Sequence, residues 1–257
     1  MKRSRFPRIL TAIVLFFLYL PILILIINSF NESRFGGVWI GFSTKWYLRL
    51  FHERAMWTAL RNSLVVAVSA TAASTFLGTA AAIALSRYKT KLQKAHYGLI
   101  YTPLVMPDIL MGIGLLLFFV AINLHLGLFT VFIAHTTFCV SYVAMVLLAR
   151  MQQFDYALVE AAQDLGANSW IVFKRVLIPM LMPGIVAAAL LAFTLSLDDF
   201  VITYFVAGQG TTTLPIYIYS MIKFGSTPII NALSVILLIM TFVVVWITQS
   251  IQGDQTP

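Results

Sequence analysis

The sequence predicts an all-α, polytopic membrane protein with six membrane-spanning helices, and three observations carry that expectation. Its 257 residues are 60% apolar and 10% charged, with a mean hydropathy of +0.92, which is more apolar surface than one soluble core of this size can hide. The apolar residues fall in runs close to the ~20 residues an α-helix needs to cross ~30 Å of hydrocarbon. Lysine and arginine sit in short stretches between those runs, as membrane topology requires. A net charge of +8 would point to nucleic acid in a soluble protein, but this segregation argues against such a partner.

The expected spans are about 9–30, 60–86, 97–121, 128–149, 181–206 and 229–251, within a single transmembrane domain over 1–257. Lys2, Arg3, Arg5 and Arg8 precede the first run as in a secretion signal. The run is longer than a signal core, and its exit through Asn28, Ser29, Phe30 and Asn31 offers no small-x-small cleavage site, so a retained span is expected. In the second span Ser74, Gly78 and Ala82 recur every four residues, which makes one helix face nearly flat and suits close packing. Asn123, His125 and Gly127 separate the third and fourth spans as a short hairpin, because 97–149 is too long for one crossing. Pro21, Pro103, Pro107 and Pro183 interrupt or begin spans, a pattern membranes tolerate where neighbours satisfy the freed carbonyls. No internal repeat or low-complexity linker is visible.

Orientation follows the basic residues. Lys2 to Arg8, then Arg87, Lys89, Lys91 and Lys94, then Arg150, Lys174 and Arg175 share one side, which places both termini in the cytoplasm. The opposite loop, 31–58, is also basic, but Trp39, Trp46, Tyr47, Leu48, Leu50, Phe51 and Trp57 suggest a helix lying in the interface. Cys139 is the only cysteine, so no internal disulfide or cysteine metal cluster is possible.

The segment 150–180 carries the most specific pattern. Asp155 can cap a helix through Ala167 whose apolar stripe is Phe154, Leu158, Ala161, Ala162 and Leu165, with Gly166 at its turn. Asn168 or Ser169 can cap a second helix whose last turn holds Lys174 and Arg175, suited to its dipole, before Pro179 stops it. Paired alanines allow a partner's backbone to come close, and Glu160 offers a charge-assisted contact. An ordinary amphipathic loop would share these features.

The full spacing, Glu160-Ala161-Ala162, Gly166 and then Val176-Leu177-Ile178-Pro179, resembles the cytoplasmic EAA loop of the inner-membrane permease subunits of bacterial ABC importers. Val176 and Ile178 depart conservatively from its usual ending. Similarity to permeases of spermidine and putrescine importers extends along almost the whole chain, anchored at Asn28 to Asn31, Thr44 to Tyr47, Pro103, Met106 to Asp108, Thr137 to Cys139, Phe193 to Asp199 and Asn231 to Leu233. Spermidine and putrescine types both fit. The resemblance implies the six-helix type I importer permease fold in the bacterial inner membrane, with a cytoplasmic coupling helix. It also implies a second permease subunit, an ABC ATPase homodimer and a periplasmic polyamine-binding protein as partners. Glu160, Ala161, Ala162, Asp164, Gly166 and Pro179 would then couple to the ATPase. The chain has no Gly-x-x-x-x-Gly-Lys-Ser/Thr loop, so no cofactor is expected on it, and ATP and Mg would sit on the partner.

Asp108, Asp198 and Asp199 are the acids within spans, and each costs a few kcal/mol at the bilayer centre unless it meets water, a cation or a partner. Asp198 lies about 22 Å along the fifth span, in its outer half. Polyamines are ammonium groups joined by methylenes, so a path for them needs carboxylates alternating with aromatic faces. Tyr142, Phe200 and Tyr204 supply such faces beside Asp108, Asp198 and Asp199. A structural role competes: Asp108 follows Pro107 as an N-cap would, and one of the pair could cap a helix break. His135 is expected to hydrogen-bond a neighbouring helix rather than bind a metal.

Three other readings remain. An ABC permease for another solute shares the loop, although acids in the path disfavour an anion. An ion-driven secondary transporter would call for broken half-helices around an ion site and an internal repeat, and neither is visible in the sequence. A membrane enzyme is disfavoured because His52, His96, His125 and His135 share no close helical spacing.

Overall fold

The computed structural model of the protein describes residues 6–33, 38–87, 91–152, 155, 157–224 and 228–253, with side chains as far as residue 243. In chain order its helices are α1 (Phe6–Ser29), α2 (Lys45–His52), α3 (Arg54–Arg87), α4 (Gln93–Val105), α5 (Asp108–Ala121), α6 (Leu128–Gln152), α7 (Ala157–Asp164), α8 (Ser169–Val172), α9 (Ile178–Asp198), α10 (Val201–Val206), α11 (Leu214–Lys223) and α12 (Pro228–Gly253). The only β pairing among the described residues is an isolated bridge between Asn31 and Phe42. The chain divides into two compact units, Met1–Trp57 with Tyr217–Pro257, and Thr58–Ile216.

In the first unit α12 packs against α1 and α2. Asn31 organises the segment after α1. Its amide donates to Val38 O at 2.8 Å, and its Oδ1 accepts from Ser33 N at 3.1 Å and Ile40 N at 3.2 Å. Its carbonyl accepts from Trp46 Nε1 at 2.8 Å, while Ser29 Oγ and Tyr47 Oη share a 2.7 Å bond. The motifs around Asn31 and Trp46 are therefore one joint. On α2 Trp46 and Leu50 are buried while Leu48 and Phe51 stay exposed, the two-faced character expected of this loop.

The second unit is built around α6. Val131, Ala134, Cys139, Val143 and Leu147 are fully buried along it, packed with Leu181, Ala188 and Ala192 of α9 and Ile202 and Val206 of α10. In hydrocarbon such contacts are held by close packing and interhelical hydrogen bonds rather than by release of water. The predicted flat face of α3 is such a contact: Ser74, Gly78 and Ala82 are all buried.

Several expected elements are corrected. The span 97–121 is not one helix but α4 and α5, bent by 112° at Met106-Pro107. Pro107 pushes Met106 to an extended ψ of 134°, where the ladder cannot continue. The span 181–206 breaks too: α9 ends at Asp198, Asp199 is extended with ψ 122°, and α10 begins at Val201. Pro179 stops nothing. The chain stays helical from Ser169 to Asp198 through a π-helical turn, Phe173–Leu177, in which Ile178 N donates to Phe173 O five residues back. That wider turn accommodates a proline at the second position of α9, and it leaves Lys174 and Arg175 inside a continuous helix rather than at a helix end.

By length and composition α1, α3, α6 and the helix Ser169–Asp198 can each cross a membrane, and the bent pair α4 and α5 makes a fifth crossing if taken together. The described apolar part of α12, Pro228–Val243, is shorter. Set against the six expected spans, the described residues give four long helices, a broken pair and a shorter final apolar helix.

Candidate functional site

Two regions hold the residues singled out by sequence. The first is the segment around α7. Asp155 Oδ1 accepts from Ala157 N at 3.0 Å and starts the helix. At the other end Gly166 N donates to Gln163 O at 2.8 Å and Ala167 N to Ala162 O at 3.0 Å, with Gly166 at φ +84°. This pair of bonds is the Schellman closure, which calls for a left-handed residue, and glycine adopts that conformation without strain. Asn168 Oδ1 then accepts from Ile171 N at 2.9 Å and starts α8.

The apolar stripe predicted for this helix is not its buried face. Val159 is the residue packed inward, whereas Leu158 and Ala161 are exposed and Leu165 is 89% exposed; Phe154 lies outside the described residues. Glu160, Asp164, Gly166 and Pro179 are exposed as well, and Ala162 is half-buried. A pattern-based reading assigns apolar residues to the chain's own core. Here they form an uncovered surface flanked by two carboxylates.

The second region is a cavity of about 270 Å³ in the unit built on α6. Asp108, Tyr142, Asp198, Asp199 and Phe200 line it together with Phe138. Two helix breaks make this possible: the bend at Pro107 brings the first turn of α5 to it, and the end of α9 brings the acid pair. Phe138 and Tyr142, one turn apart on α6, meet edge to face at 6.5 Å between centroids. Tyr204 is not part of the lining; it is exposed and rests against Phe200 at 5.5 Å. A larger groove of about 1070 Å³ runs along α3 and α9, but its walls are apolar and it presents no charge to a cation.

The two adjacent acids differ. Asp199 Oδ2 accepts from Thr203 N at 2.8 Å and from Thr203 Oγ1 at 2.7 Å, and Oδ1 accepts from Ile202 N at 3.4 Å, so this carboxylate caps α10. Its side chain is 11% exposed, with His135 Nε2 3.3 Å from Oδ2. Asp198 and Asp108 are exposed and make no salt bridge among the described residues.

His135 is buried on α6, with Nδ1 2.7 Å from Ser196 Oγ and Nε2 2.8 Å from Thr203 Oγ1. Sequence reasoning anticipated a neighbouring helix for it but missed Ser196, Thr203 and Phe138. A signal existed: Ser196, Asp199 and Thr203 fall at i, i+3 and i+7, one helical face.

Fold and site together describe a membrane permease. Residues 74–253 match the family described as binding-protein-dependent transport system inner membrane component, and the chain belongs to that family. The chain is 40% identical over 240 residues to the spermidine/putrescine transport system permease protein PotC of Escherichia coli, covering 93% of this chain and 91% of that protein. It is 45% identical over 229 residues to the putrescine transport system permease protein PotI of Escherichia coli, covering 86% and 82%. Among solved structures, a bacterial ABC transporter for the acidic polysaccharide alginate superposes with a TM-score of 0.73 at 17% identity, covering 100% of this chain and 99% of that one. The methionine ABC transporter MetNI gives 0.65 at 19% identity, covering 80% and 99%. These two share the fold of type I ABC importer permeases.

Proposed function

We propose that this protein is one of two permease subunits of an ATP-driven polyamine importer of the bacterial inner membrane, a single transmembrane domain with both termini in the cytoplasm. It forms half of the translocation pathway. A second permease subunit forms the rest, a periplasmic binding protein delivers spermidine or putrescine, and an ABC ATPase homodimer carries ATP and Mg.

The observation that carries the substrate class is the gathering of Asp108, Asp198 and Asp199 on one cavity with Tyr142 and Phe200. A carboxylate in hydrocarbon is costly unless a cation or water meets it. A chain of ammonium and methylene groups satisfies both kinds of wall, the acids through charge and the rings through cation-π attraction. Tyr204, beside Phe200, extends the aromatic side of the route. A polyanion would be repelled by the carboxylates of this lining.

The energy enters elsewhere. Glu160, Ala161, Ala162, Asp164 and Gly166 present the exposed surface on which the ATPase docks, and Pro179, at the π-helical turn, joins that surface to α9. Closure of the ATPase moves α7. The continuous helix Ser169–Asp198 then carries the displacement to the acid pair at its far end. The chain transmits work and performs no hydrolysis of its own.

The decisive experiment is co-expression with its operon neighbours, purification of the complex and an assay of ATP hydrolysis in vesicles. Stimulation by putrescine or spermidine with the binding protein supports the reading. Stimulation by another solute alone would retain the permease and discard the polyamine, and uptake without any ATPase would discard both.

A further inference from the structure

We infer that His135 is a positioning residue: through Ser196 and Thr203 it fixes the break after α9 and keeps Asp199 engaged, so that Asp198, with Asp108, is the carboxylate left to meet a cationic substrate. The inference rests on the cavity being the amine's route.

The hydrogen bonds have one consistent direction. A carboxylate only accepts, so the single proton of Thr203 Oγ1 goes to Asp199 Oδ2 at 2.7 Å. Thr203 Oγ1 must then accept from His135, which puts a proton on Nε2. In a neutral imidazole Nδ1 is left as an acceptor, and Ser196 Oγ, 2.7 Å away, supplies the donor. Ser196 donates to His135, His135 to Thr203, and Thr203 to Asp199. No member is left over.

The relay joins three elements that the backbone does not join. Ser196 belongs to the last turn of α9, Thr203 to α10 and His135 to α6. Between α9 and α10 stand Asp199 and Phe200, where the helical ladder is interrupted. A histidine bonded on both sides of that interruption holds the two helices to α6 at a set separation, and it is 1% exposed, so water does not substitute for it. A ring carrying a hydrogen bond on each of two opposed atoms spans the gap that serine or threonine could not.

The consequence falls on Asp198. Asp199 accepts from two backbone N–H groups and one hydroxyl, with the His135 N–H also within 3.3 Å, and has little capacity left for a mobile ammonium group. Asp198, exposed and without a salt bridge among the described residues, retains its capacity. Its place on the cavity depends on where α9 stops, which is what the relay sets.

The test uses the assembled transporter with its binding protein in vesicles, with putrescine and spermidine as probes and ATPase retention as the control for assembly. His135→Phe is expected to raise the half-saturating amine concentration about tenfold while retaining the ATPase. His135→Gln, whose amide can donate to Thr203 and accept from Ser196, is expected to return to within about threefold of the parent. Adding Asp198→Asn to His135→Phe should cost less than about twofold more, because the two act through one site. Thr203→Val, which removes the link but keeps the shape, provides the same readout if the phenylalanine variant does not assemble. Effects of His135→Phe and Asp198→Asn that multiply, or a glutamine variant as poor as phenylalanine, would reduce His135 to packing. If Asp198→Asn impairs uptake while neither His135→Phe nor Thr203→Val does, the positioning role fails and the route stands. If Asp198→Asn has no effect, the route itself fails.

Discussion

Gly78 of α3 faces Val143 of α6 at a distance that leaves no room for a side chain: a Cβ on Gly78 would lie 2.7 Å from Val143 Cβ and 3.0 Å from Val140 O. Neither neighbour is the free end of a flexible chain. The contact must open if the glycine is replaced.

Gly78→Ala is therefore expected to destabilise the folded chain by about 1–3 kcal/mol, the usual range for overpacking a close contact. Gly98, with no atom within 4 Å of its would-be Cβ, provides the control substitution. Thermal unfolding of the detergent-purified protein should separate the two alanine variants. Equal midpoints would mean that α3 and α6 part freely.

At Gly166 the argument is conformational rather than steric. Nothing lies within 4 Å of its would-be Cβ, yet its φ is +84°. Gly166→Ala should cost about 1 kcal/mol in the left-handed conformation and leave insertion intact. Gly166→Leu and Glu160→Lys should do more, because they alter the exposed face itself. ATPase co-purification is expected to fall at least about tenfold, some 1.4 kcal/mol, for either variant. Full retention of the ATPase with normal uptake would remove α7 from the coupling path.

How much of this was legible from the sequence depends on what each residue answers to. The order and extent of the apolar runs are set by hydrocarbon thickness, a one-dimensional constraint, so α1, α3 and α6 fall near the expected positions. Hydropathy is blind to where a ladder stops, so the breaks at Pro107 and Asp199 were legible only as the capping alternatives offered by Asp108 and the acid pair, and the drawn spans ran through them. Proline alone did not mark them: Pro21, Pro103 and Pro183 all lie inside helices, and only Pro107 ends one. The cavity acids were visible as costly charges, but the difference between Asp198 and Asp199 arises from Thr203 and His135, which meet the pair only in three dimensions. The stripe on α7 was legible as apolar, and its exposure at Leu158, Ala161 and Leu165 was not. Periodicity identifies an apolar face and does not say whether it covers this chain or another one.

The bend between α4 and α5 allows a further expectation. Met106 is extended because the proline ring that follows disfavours the helical conformation there. Pro107→Ala removes that restriction and restores the missing N–H, so the 112° bend should relax toward a straighter helix. Asp108 would then leave the cavity. Uptake is expected to fall about tenfold or more while ATPase association persists. A spin-label pair on α4 and α5 would report the bend directly, and an unchanged distance alongside normal uptake would show that neighbouring helices, rather than Pro107, impose it.

The acid pair gives the last expectation. Asp199→Asn keeps the size and one accepting oxygen, which can still take Thr203 N and Thr203 Oγ1, but it sets an NH2 group against Ile202 N, from which it cannot accept. Leaving that donor without a partner costs about 1–3 kcal/mol. The Asp198 carboxylate shares no hydrogen bond with another of the described residues, so the effect of Asp198→Asn should be confined to the cation. Asp199→Asn should therefore lower both thermal stability and uptake, Asp198→Asn should lower uptake alone, and the double variant should impair uptake more than ATPase docking. Unfolding midpoints and initial uptake rates, measured side by side, distinguish these outcomes. A loss of stability in Asp198→Asn equal to that in Asp199→Asn would mean that both acids hold the break and that neither is free for substrate.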